Sequence, residues 1–341
     1  MKIAFFTPPP EQRIGGLDAA IDALRQALNR RGISVTGDLP TVTSGDTVAH
    51  FHGLWQRAHV GLARDCAARG IPCVISPHGM LEPWAWRHKW WKKWPYFHLV
   101  EKRHLMRAGA VLATAPAEAA RLREFLPRQR IDTLPLGLTG DARPDFENAR
   151  RQLGWRPEDR VLLFLSRIHI KKGLDLLLRA LAGMALPADL RLVIVGDGAE
   201  RYVGKIRRFC EAHADALPPI DWKGAVWGEA RWPYFQSADL FCLPTHSENF
   251  GLAILEACQV GTPVLTTTET PWSEDLAGGR GFIGRPAVED IRRLLGEYFA
   301  KPRWSVESRR ALSDWACAKF DWDKLAERYV ALYDSLASPR K

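Results

Sequence analysis

The segment that decides the fold is residues 246–265, HSENFGLAILEACQVGTPVL. A short apolar run at 240–243 leads into it, and a largely apolar helical pattern follows Gly251. Strand, turn and helix in that order are typical of α/β domains, in which crossover helices join parallel strands. Glu248 and Glu256 lie eight residues apart, one on each side of the turn. The segment therefore predicts a parallel sheet with two carboxylates beyond the end of one strand.

The start of this helix is suited to phosphate. We expect Ser247 or Asn249 to cap the helix and Gly251 to open its first turn. The unpaired N–H groups and the positive end of the helix dipole then form an anion site. Glu256 lies about one turn inside an otherwise apolar helix, where an unpaired carboxylate is costly. The hydroxyls of a ribose would supply its partner, so the turn predicts a site for a nucleotide sugar.

Residues 240–265 resemble the Glu-x7-Glu motif of the retaining glycosyltransferases of family 4, which have the GT-B fold. The preceding strand, the turn and the Gly-Thr-Pro-Val that begins the next strand all match. The resemblance implies that Glu248 holds donor-sugar hydroxyls and that Glu256 holds the ribose. It places the rest of the turn against the donor, namely Asn249, Phe250, Gly251 and Leu252. The alternative is a capped surface helix with solvated glutamates.

Two series of alternating strand and helix patterns divide the chain, and the second restarts at the apolar run Arg160–Leu165. The connection 137–159, rich in Gly, Pro and charge, is the predicted linker. The GT-B resemblance, close over 160–275 and looser over 1–135, implies an α/β fold with two Rossmann-like, doubly wound domains facing a central cleft. It also implies that the terminal helix crosses back to the first domain. We therefore predict an N-terminal, acceptor-side domain at 1–139, a nucleotide-sugar donor domain at 140–321 and a C-terminal helix at 322–341.

Basic side chains follow the first strand of the second series, where residues 166–173 read SRIHIKKG. Arg167 and Lys172 match the Arg-x4-Lys-Gly element of the same family. The planar fork of an arginine and the point charge of a lysine can together clamp a pyrophosphate. The resemblance implies that both residues neutralise the diphosphate leaving group. A basic loop on a basic protein is the alternative.

Glycines at strand ends allow a ligand to approach the backbone. Gly15 and Gly16 open a helix after the first strand. The resemblance places this loop near the donor phosphate and the acceptor, and a purely structural turn is the alternative. Gly196 and Gly198 end a later strand without the third glycine of a dinucleotide fingerprint. The resemblance places these two glycines, with Gly224, near the nucleotide base.

His78 follows the strand-like run 73–76. Its position resembles that of the family's N-domain histidine, which faces the donor sugar, so we include it among the catalytic residues. His52 ends the preceding strand and would face the same crevice. Asp321 and Asp323 have the spacing of a metal-binding pair, but they precede the last helix, away from every strand end. We interpret them as a helix cap and surface charge, and no metal site is predicted.

A segment rich in tryptophan and lysine lies between Pro83 and Pro95. On a helical projection its five tryptophans fall within an arc of roughly 160°, with the lysines on the opposite side. Pro95 should end this helix. An aromatic face beside a lysine face is typical of an interfacial helix on an anionic bilayer, and a tryptophan-rich core helix with solvated lysines is the alternative. The residues predicted to contact the acceptor or a membrane are Trp84, Trp86, Lys89, Trp90, Trp91, Lys92, Lys93 and Trp94.

The chain has 341 residues and a formal net charge of +9. This charge suits an anionic partner, and the motifs favour a nucleotide sugar over nucleic acid. No apolar run reaches the roughly 20 residues of a membrane span. The six cysteines show no paired spacing, which fits a reducing cytoplasm. We therefore expect a cytoplasmic protein with peripheral contact to the inner face of the cytoplasmic membrane.

The two glutamates do not fit a glycosidase pair. If helical they would be about 12 Å apart, whereas paired catalytic carboxylates are about 5–9.5 Å apart. The resemblance implies a front-face displacement with retention, in which the leaving diphosphate takes the proton of the acceptor hydroxyl and protein cations replace a metal. No cofactor is expected, and the acceptor is a saccharide or a lipid-linked saccharide, as in exopolysaccharide, O-antigen or lipopolysaccharide assembly. A nucleotide-sugar epimerase on the same fold and a non-catalytic nucleotide-binding module are the alternatives.

Overall fold

The structure is a computed structural model that describes residues 1–9, 15–37, 47–87 and 90–337. The chain divides into two compact units. Unit 1 comprises residues 1–139 together with 320–341, and unit 2 comprises residues 140–319. The C-terminal helix is therefore part of the unit that contains the N-terminus.

Unit 1 alternates strands with helices. Between α4 and α5 its chain forms a π-helical turn, Phe97–Glu101, so that the helical path continues without a break from Trp90 to Arg107. Its elements up to residue 139 are β1 (Lys2–Phe6), α1 (Gly15–Arg30), β2 (Ser34–Thr36), β3 (Thr47–His52), α2 (Arg57–Ala68), β4 (Cys73–Ser76), α3 (Pro83–Arg87), α4 (Trp90–Tyr96), α5 (Lys102–Arg107), β5 (Ala110–Ala113), α6 (Pro116–Phe125) and β6 (Ile131–Thr133).

Unit 2 repeats this alternation, and short 3-10 turns precede α8, follow α9 and precede α10. Its elements are α7 (Phe146–Leu153), β7 (Arg160–Leu165), α8 (Leu174–Ala182), β8 (Leu190–Val195), α9 (Glu200–Ala212), β9 (Ile220–Trp222), α10 (Trp232–Ser237), β10 (Leu240–Leu243), α11 (Leu252–Gln259), β11 (Val264–Thr267), α12 (Ser273–Leu276), β12 (Gly281–Gly284), α13 (Val288–Phe299) and α14 (Val306–Lys319). The last helix of the chain, α15 (Trp322–Ala337), belongs to unit 1.

Each unit is built on one parallel sheet, which has six strands within the described residues. The strand order is β2-β1-β3-β4-β5-β6 in unit 1 and β12-β11-β10-β7-β8-β9 in unit 2. The central strands are apolar and buried on both faces, as the run Val161–Phe164 shows, because crossover helices cover a parallel sheet on both sides. The predicted fold class, two Rossmann-like and doubly wound domains, is confirmed.

Helix α15 packs on the sheet of unit 1. Trp322, Tyr329 and Tyr333 are buried in the same apolar cluster as residues of β1, α1 and β4. The carboxylate of Asp321 accepts hydrogen bonds from the backbone N–H groups of Asp323 (3.0 Å) and Lys324 (3.1 Å). Asp321 thus caps the helix, the role that its position in the sequence indicated.

The predicted linker 137–159 is wrong over its second half, because this stretch contains α7. Arg150 of α7 is buried and pairs with Asp239 at 2.5 Å. The carboxylate of Asp239 also accepts a hydrogen bond from the N–H of Val161, at 2.7 Å. This buried charge pair holds α7 against the start of β10 within unit 2. Because the stretch 137–159 is rich in charged residues, its sequence resembles that of a loop.

The prediction that Pro95 ends its helix is also wrong. Pro95 lies inside α4, and the helical path continues through the π-helical turn to α5. Proline removes one N–H donor and crowds the carbonyl four residues earlier. The π-helical turn just beyond Pro95 accommodates the missing donor and the steric crowding without ending the helix.

Candidate active site

The candidate site of unit 2 lies at the point where the strand order of its sheet reverses. Strand β7 pairs with β8 on one side and with β10 on the other, so the crossovers on the two sides run in opposite directions. In sheets of this kind ligands bind outside the carboxyl ends of the strands at that switch point. The turns that follow β7 and β10 are residues 166–173 and 244–251, which carry the two motifs found in the sequence.

These two turns are joined by backbone contacts. The carbonyl of Lys171 accepts hydrogen bonds from the N–H of His246 (2.7 Å) and the hydroxyl of Thr245 (2.8 Å). Gly173 has a φ of +71°, and a Cβ there would lie 1.9 Å from the carbonyl oxygen of Pro244. A larger residue could not occupy position 173 without separating the turns, so the glycine is required for their approach.

The joined turns bring Lys172 and Glu248 into direct contact. Their Nζ and Oε1 atoms are 2.5 Å apart, and the side chains are only 15% and 9% exposed. Oγ1 of Thr245 lies 3.2 Å from the same carboxylate oxygen. Glu248 lies in the loop before α11 and outside any helix. A cation and a carboxylate are thus fixed side by side at the switch point.

Arg167 occupies the same edge of the sheet in a different environment. It lies in the turn after β7, and its side chain is exposed. Within the described residues Arg167 makes no ion pair and no hydrogen bond through its side chain. Its guanidinium is therefore the accessible cation of the two that the Arg-x4-Lys-Gly resemblance indicates.

Helix α11 begins at this edge as well, but its cap differs from the prediction. Gly251 is the N-cap, in the left-handed conformation with φ +83°, and no side chain forms a capping hydrogen bond. The prediction that Ser247 or Asn249 caps the helix is wrong. The first N–H groups of a helix have no intrahelical partner, so those of α11 present a positive end. Phe250 is buried and Leu252 is the first helical residue.

Glu256 has a protein partner that the sequence did not reveal. Its carboxylate, buried on the inner face of α11, lies 3.0 Å from Nη2 and 3.1 Å from Nε of Arg231. Arg231 ends the 3-10 turn between β9 and α10. The contact by two guanidinium nitrogens offsets the cost of burying this carboxylate. Nothing in the spacing of Arg231, 25 residues before Glu256, could have indicated this pairing.

The three strand-end glycines of unit 2 serve the packing of neighbouring turns. A Cβ at Gly196 would lie 1.9 Å from the carbonyl oxygen of Ser166, and one at Gly198 would lie 2.0 Å from that of Ile168. The N–H of Gly196 donates to the carbonyl of Gly224 at 2.6 Å. Gly224 itself has φ +65° and open space where a Cβ would be. The turns after β7, β8 and β9 therefore lie against one another along the same sheet edge.

The carboxyl edge of the sheet in unit 1 carries a cluster of buried histidines. Nδ1 of His52 lies 3.1 Å from Nε2 of His78, and the two rings are stacked. His50 forms hydrogen bonds with Tyr333 at 2.8 Å and with Ser76 at 2.7 Å. Burial lowers the pKa of His78 to about 4 and that of His50 to about 3. These imidazoles are therefore neutral at physiological pH.

The loop that presents His78 is held by Glu118. His78 has a φ of +51°, an unfavourable value for a residue with a side chain. The carboxylate of Glu118 accepts hydrogen bonds from the N–H of Gly79 (2.7 Å) and from the N–H and hydroxyl of Thr114 (2.8 and 2.9 Å). The strained backbone is thus fixed by a buried side chain. Sequence reasoning missed Glu118, although a glutamate just after Pro116 at a helix start was a signal.

Gly15 and Gly16 form the first turn of α1. This position agrees with the predicted helix start, and the loop before it, 10–14, lies outside the described residues. The structure thus places the two glycines but gives no contact that would assign them to a ligand.

The tryptophan segment divides into an inner and an outer part. Trp86 packs between Phe97 and Phe125, with ring centroids 5.2 and 5.7 Å away, and Trp84 is half-buried. Lys93 donates a hydrogen bond to the carbonyl of Ala85 at 2.5 Å. Within the described residues the tryptophans divide between an apolar cluster and an exposed surface, so the prediction of one aromatic face opposite one lysine face is wrong.

Three tryptophans of α4 face outward. Trp90, Trp91 and Trp94 are 57%, 58% and 52% exposed, and Lys92 beside them is also exposed. Lys89 lies outside the described residues. None of the described helices is long and apolar enough to cross a bilayer.

Comparison with known proteins agrees with this geometry. The family described as glycosyl transferases group 1 matches residues 145–314, and the family described as a glycosyl transferase 4-like domain matches residues 8–137. The chain belongs to the family 4 type of glycosyltransferases, with the GT-B fold. A D-inositol 3-phosphate glycosyltransferase of Segniliparus rotundus is 29% identical to it over 249 residues, which are 65% of this chain and 51% of that protein. The chain spans about half the length of the curated relatives that it matches.

Two solved structures resemble this chain over nearly its whole length. Sucrose-phosphate synthase from Thermosynechococcus elongatus has a TM-score of 0.80 at 18% identity, covering 98% of this chain and 99% of that one. Anabaena HepE in complex with UDP-glucose has a TM-score of 0.75 at 17% identity, covering 98% and 100%. At such identities the likeness shows the fold alone.

The loop after β11 packs against the turn that carries Glu248. Trp272 is buried, and its indole N–H donates a hydrogen bond to the carbonyl of Phe250. The carbonyl of Glu269 accepts a hydrogen bond from the N–H of Glu248 at 2.9 Å. This loop therefore supports the turn that carries Glu248. A tryptophan just beyond a strand end was the signal in the sequence.

Proposed function

We propose that this chain is a retaining glycosyltransferase that moves a sugar from a nucleoside diphosphate sugar to a hydroxyl of an acceptor. The observation that carries the proposal is the contact of Lys172 with Glu248 at the switch point of unit 2, beside the accessible guanidinium of Arg167. A diphosphate needs cations, and the hydroxyls of a sugar need hydrogen-bond acceptors. The carboxyl edge of the unit 2 sheet supplies both, in the joined turns 166–173 and 244–251.

The proposed roles follow the chemistry of each group. Arg167, Lys172 and the N-terminus of α11 hold the diphosphate and stabilise the charge that develops on it as the glycosidic bond breaks. Glu248 accepts hydrogen bonds from the sugar hydroxyls. The leaving diphosphate oxygen takes the proton of the acceptor hydroxyl while the acceptor attacks from the same face, which retains the anomeric configuration. In this proposal protein cations neutralise the diphosphate, and no metal is required.

The nucleoside is assigned to the other elements of this edge that the family resemblance indicated. We assign the ribose hydroxyls to Glu256, whose carboxylate is held in place by two nitrogens of Arg231. The strand-end glycines Gly196, Gly198 and Gly224 are assigned to the base. Anabaena HepE binds UDP-glucose, so UDP is the first nucleotide to test, with GDP and ADP beside it.

Unit 1 is proposed to contribute His78 and the acceptor side. The neutral imidazole of His78 can donate or accept a hydrogen bond without bringing charge to the donor sugar. Its hydrogen bond with His52 fixes the ring orientation. Gly15 and Gly16, at the start of α1, are proposed to lie near the donor phosphate and the acceptor.

The acceptor is proposed to be lipid-linked, as in the assembly of exopolysaccharide, O-antigen or lipopolysaccharide. The support is the surface formed by Trp90, Trp91, Trp94 and Lys92, which we call the tryptophan surface. Tryptophan and lysine together are suited to the interface of an anionic bilayer. We therefore propose peripheral binding at the cytoplasmic face of the membrane. Wild-type protein should float with vesicles that contain phosphatidylglycerol at low salt, and absence of flotation there would refute the membrane part of the proposal.

The experiment that tests the activity needs no knowledge of the acceptor. Each candidate nucleotide sugar is incubated with the protein, first alone and then with a membrane lipid extract, and the sugar anomeric signals are followed by NMR. A transferase should consume its donor faster with the extract and form a product of unchanged anomeric configuration. Epimerisation of the donor without extract would favour the epimerase alternative, and binding without turnover in either condition would favour the nucleotide-binding module.

A further inference from the structure

Unit 1 contains a cavity of about 690 Å³ away from the candidate active site. It lies between α2, the helical path 99–107 and the end of α15, and its lining includes Cys73 and Gly109. Cys73 begins β4 and Gly109 precedes β5, so the cavity is at the amino edge of the parallel sheet. His78 follows the carboxyl end of β4. The cavity and His78 therefore lie at opposite edges of the same sheet.

Three arginines line this cavity. Arg64 extends from α2, and Arg103 and Arg107 extend from α5. All three are exposed, and within the described residues none of them forms an ion pair or a side-chain hydrogen bond. No aspartate or glutamate is among the described lining residues. Three like charges around one cavity repel one another unless an anion joins them, and the planar fork of arginine fits the oxygens of a phosphate.

The remainder of the lining is largely apolar. Val60, Ile71 and Leu99 contribute to it. Leu99 is 64% exposed, and Met106 on the same helical path is 53% exposed. The tryptophan surface lies on this path as well, at its start in α4. Large apolar side chains that remain exposed along one segment mark an interaction surface. A ligand with an anionic head and an apolar tail would match both parts of the cavity.

His104 is a buried polar side chain that the protein leaves unsatisfied. It lines the cavity, is 5% exposed, and its Nε2 has no hydrogen-bond partner among the described residues. A buried ring nitrogen without a partner is costly unless a ligand or water completes it. The oxygen of a ligand seated between the arginines would supply that partner.

We propose that this cavity binds one anionic phospholipid of the bilayer by its phosphate headgroup. The arginines hold the phosphate, His104 meets a headgroup oxygen, and an acyl chain lies against Leu99 and Val60. The volume is within the roughly 300–1,000 Å³ of small-molecule sites. This inference extends the proposed membrane contact to one defined lipid site, and it does not depend on the proposed glycosyl transfer.

The test uses dihexanoyl phosphatidylglycerol below its micellar concentration, titrated calorimetrically into the full chain. Arg103→Gln with Arg107→Gln should weaken binding about tenfold or more, because each charge-assisted contact to phosphate is worth at least about that factor. The matched control, Arg123→Gln with Arg128→Gln, removes the same charge from exposed positions that do not line the cavity, and it should bind like wild type. Folding of each variant is checked by its unfolding temperature.

Three results would overturn the proposal. They are the absence of saturable lipid binding, equal weakening in the control variant, and binding of glycerol 3-phosphate or inorganic phosphate as tight as that of the lipid. A further variant separates the cavity from the tryptophan surface. Replacing Trp90, Trp91 and Trp94 by alanine should abolish vesicle flotation and leave binding of the monomeric lipid unchanged. Because every readout is binding, failure here is distinct from a failure to find transferase activity.

Discussion

Arg167→Ala is the sharpest perturbation that the structure offers. The side chain is exposed and has no ion pair or side-chain hydrogen bond within the described residues, so its removal leaves no buried partner unsatisfied. We expect the free energy of unfolding to change by no more than about 0.5 kcal/mol. If the guanidinium binds the diphosphate, its loss should weaken binding by about 1.5–3 kcal/mol, which is about 10- to 150-fold in Kd.

Lys172→Ala should behave differently because Lys172 is paired. Removing it leaves the carboxylate of Glu248, 9% exposed, without its cation. Breaking a buried pair by deleting one partner costs about 3–5 kcal/mol, and the partial exposure of Lys172 lowers that figure. The variant should therefore lose both stability and diphosphate affinity. Adding Glu248→Gln to it should restore part of the stability and none of the affinity.

Isothermal titration of UDP and of uridine into each variant separates phosphate contacts from nucleoside contacts. GDP with guanosine and ADP with adenosine replace this pair if UDP does not bind to the wild type. Arg310→Ala, an exposed arginine on α14, is the matched control. Equal loss of nucleoside and nucleoside diphosphate affinity in Arg167→Ala would refute the phosphate clamp. So would an unchanged Kd for the nucleoside diphosphate.

The other predictions concern groups that are buried or partly buried. Glu256→Ala should weaken the binding of a ribonucleotide far more than that of its 2′,3′-dideoxy analogue in the same titration, and an equal loss for both would contradict the ribose assignment. Arg231→Ala should destabilise the fold, because it leaves the buried carboxylate of Glu256 without its cation. Burial holds the pKa of His50 at about 3 and that of His78 at about 4, against 6.5 in an unfolded chain, so the unfolded state binds more protons below pH 6.5. Each histidine should therefore lower the free energy of unfolding by up to about 1.4 kcal/mol per pH unit as the pH falls from about 6.5 toward its folded pKa. A free energy of unfolding that stays constant between pH 6.5 and 4.5 in urea unfolding would contradict the burial. Glu118→Gln should cost about 1–3 kcal/mol, because the amide offers one acceptor where three donors converge, and retention of wild-type unfolding free energy would show that the carboxylate does not hold the His78 loop.

The sequence predicted the parts of the fold that depend on local pattern. Apolar runs of four to six residues separated by helical periodicity indicated the central strands of both sheets, because buried parallel strands need continuous apolar sequence. The short edge strands β2, β6 and β12 carry no such run and were not predicted. The meeting of Lys172 and Glu248 was also foreseeable, since each follows a strand and the carboxyl ends of parallel strands share an edge.

The parts that the sequence did not predict depend on partners that are distant along the chain. Tertiary packing brings Glu256 to Arg231, and it brings Glu118 to the loop that carries His78. Contacts of this kind have no characteristic spacing in the sequence. Pro95 was expected to end a helix, but the helical path runs through it and continues in a π-helical turn. Helix α7 was hidden because a buried charge pair looks like solvated charge in a sequence.

The most direct test of the donor site in unit 2 is a crystal structure with the nucleoside diphosphate that raises the unfolding temperature most. A ligand at one hundred times its Kd adds about 2.7 kcal/mol to the free energy of unfolding, so the choice of nucleotide is readily made. We predict the diphosphate within hydrogen-bond distance of Arg167, Lys172 and the first N–H groups of α11, and the ribose hydroxyls at Glu256. A nucleotide bound elsewhere, or one at the switch point whose diphosphate contacts none of these groups, would contradict the account.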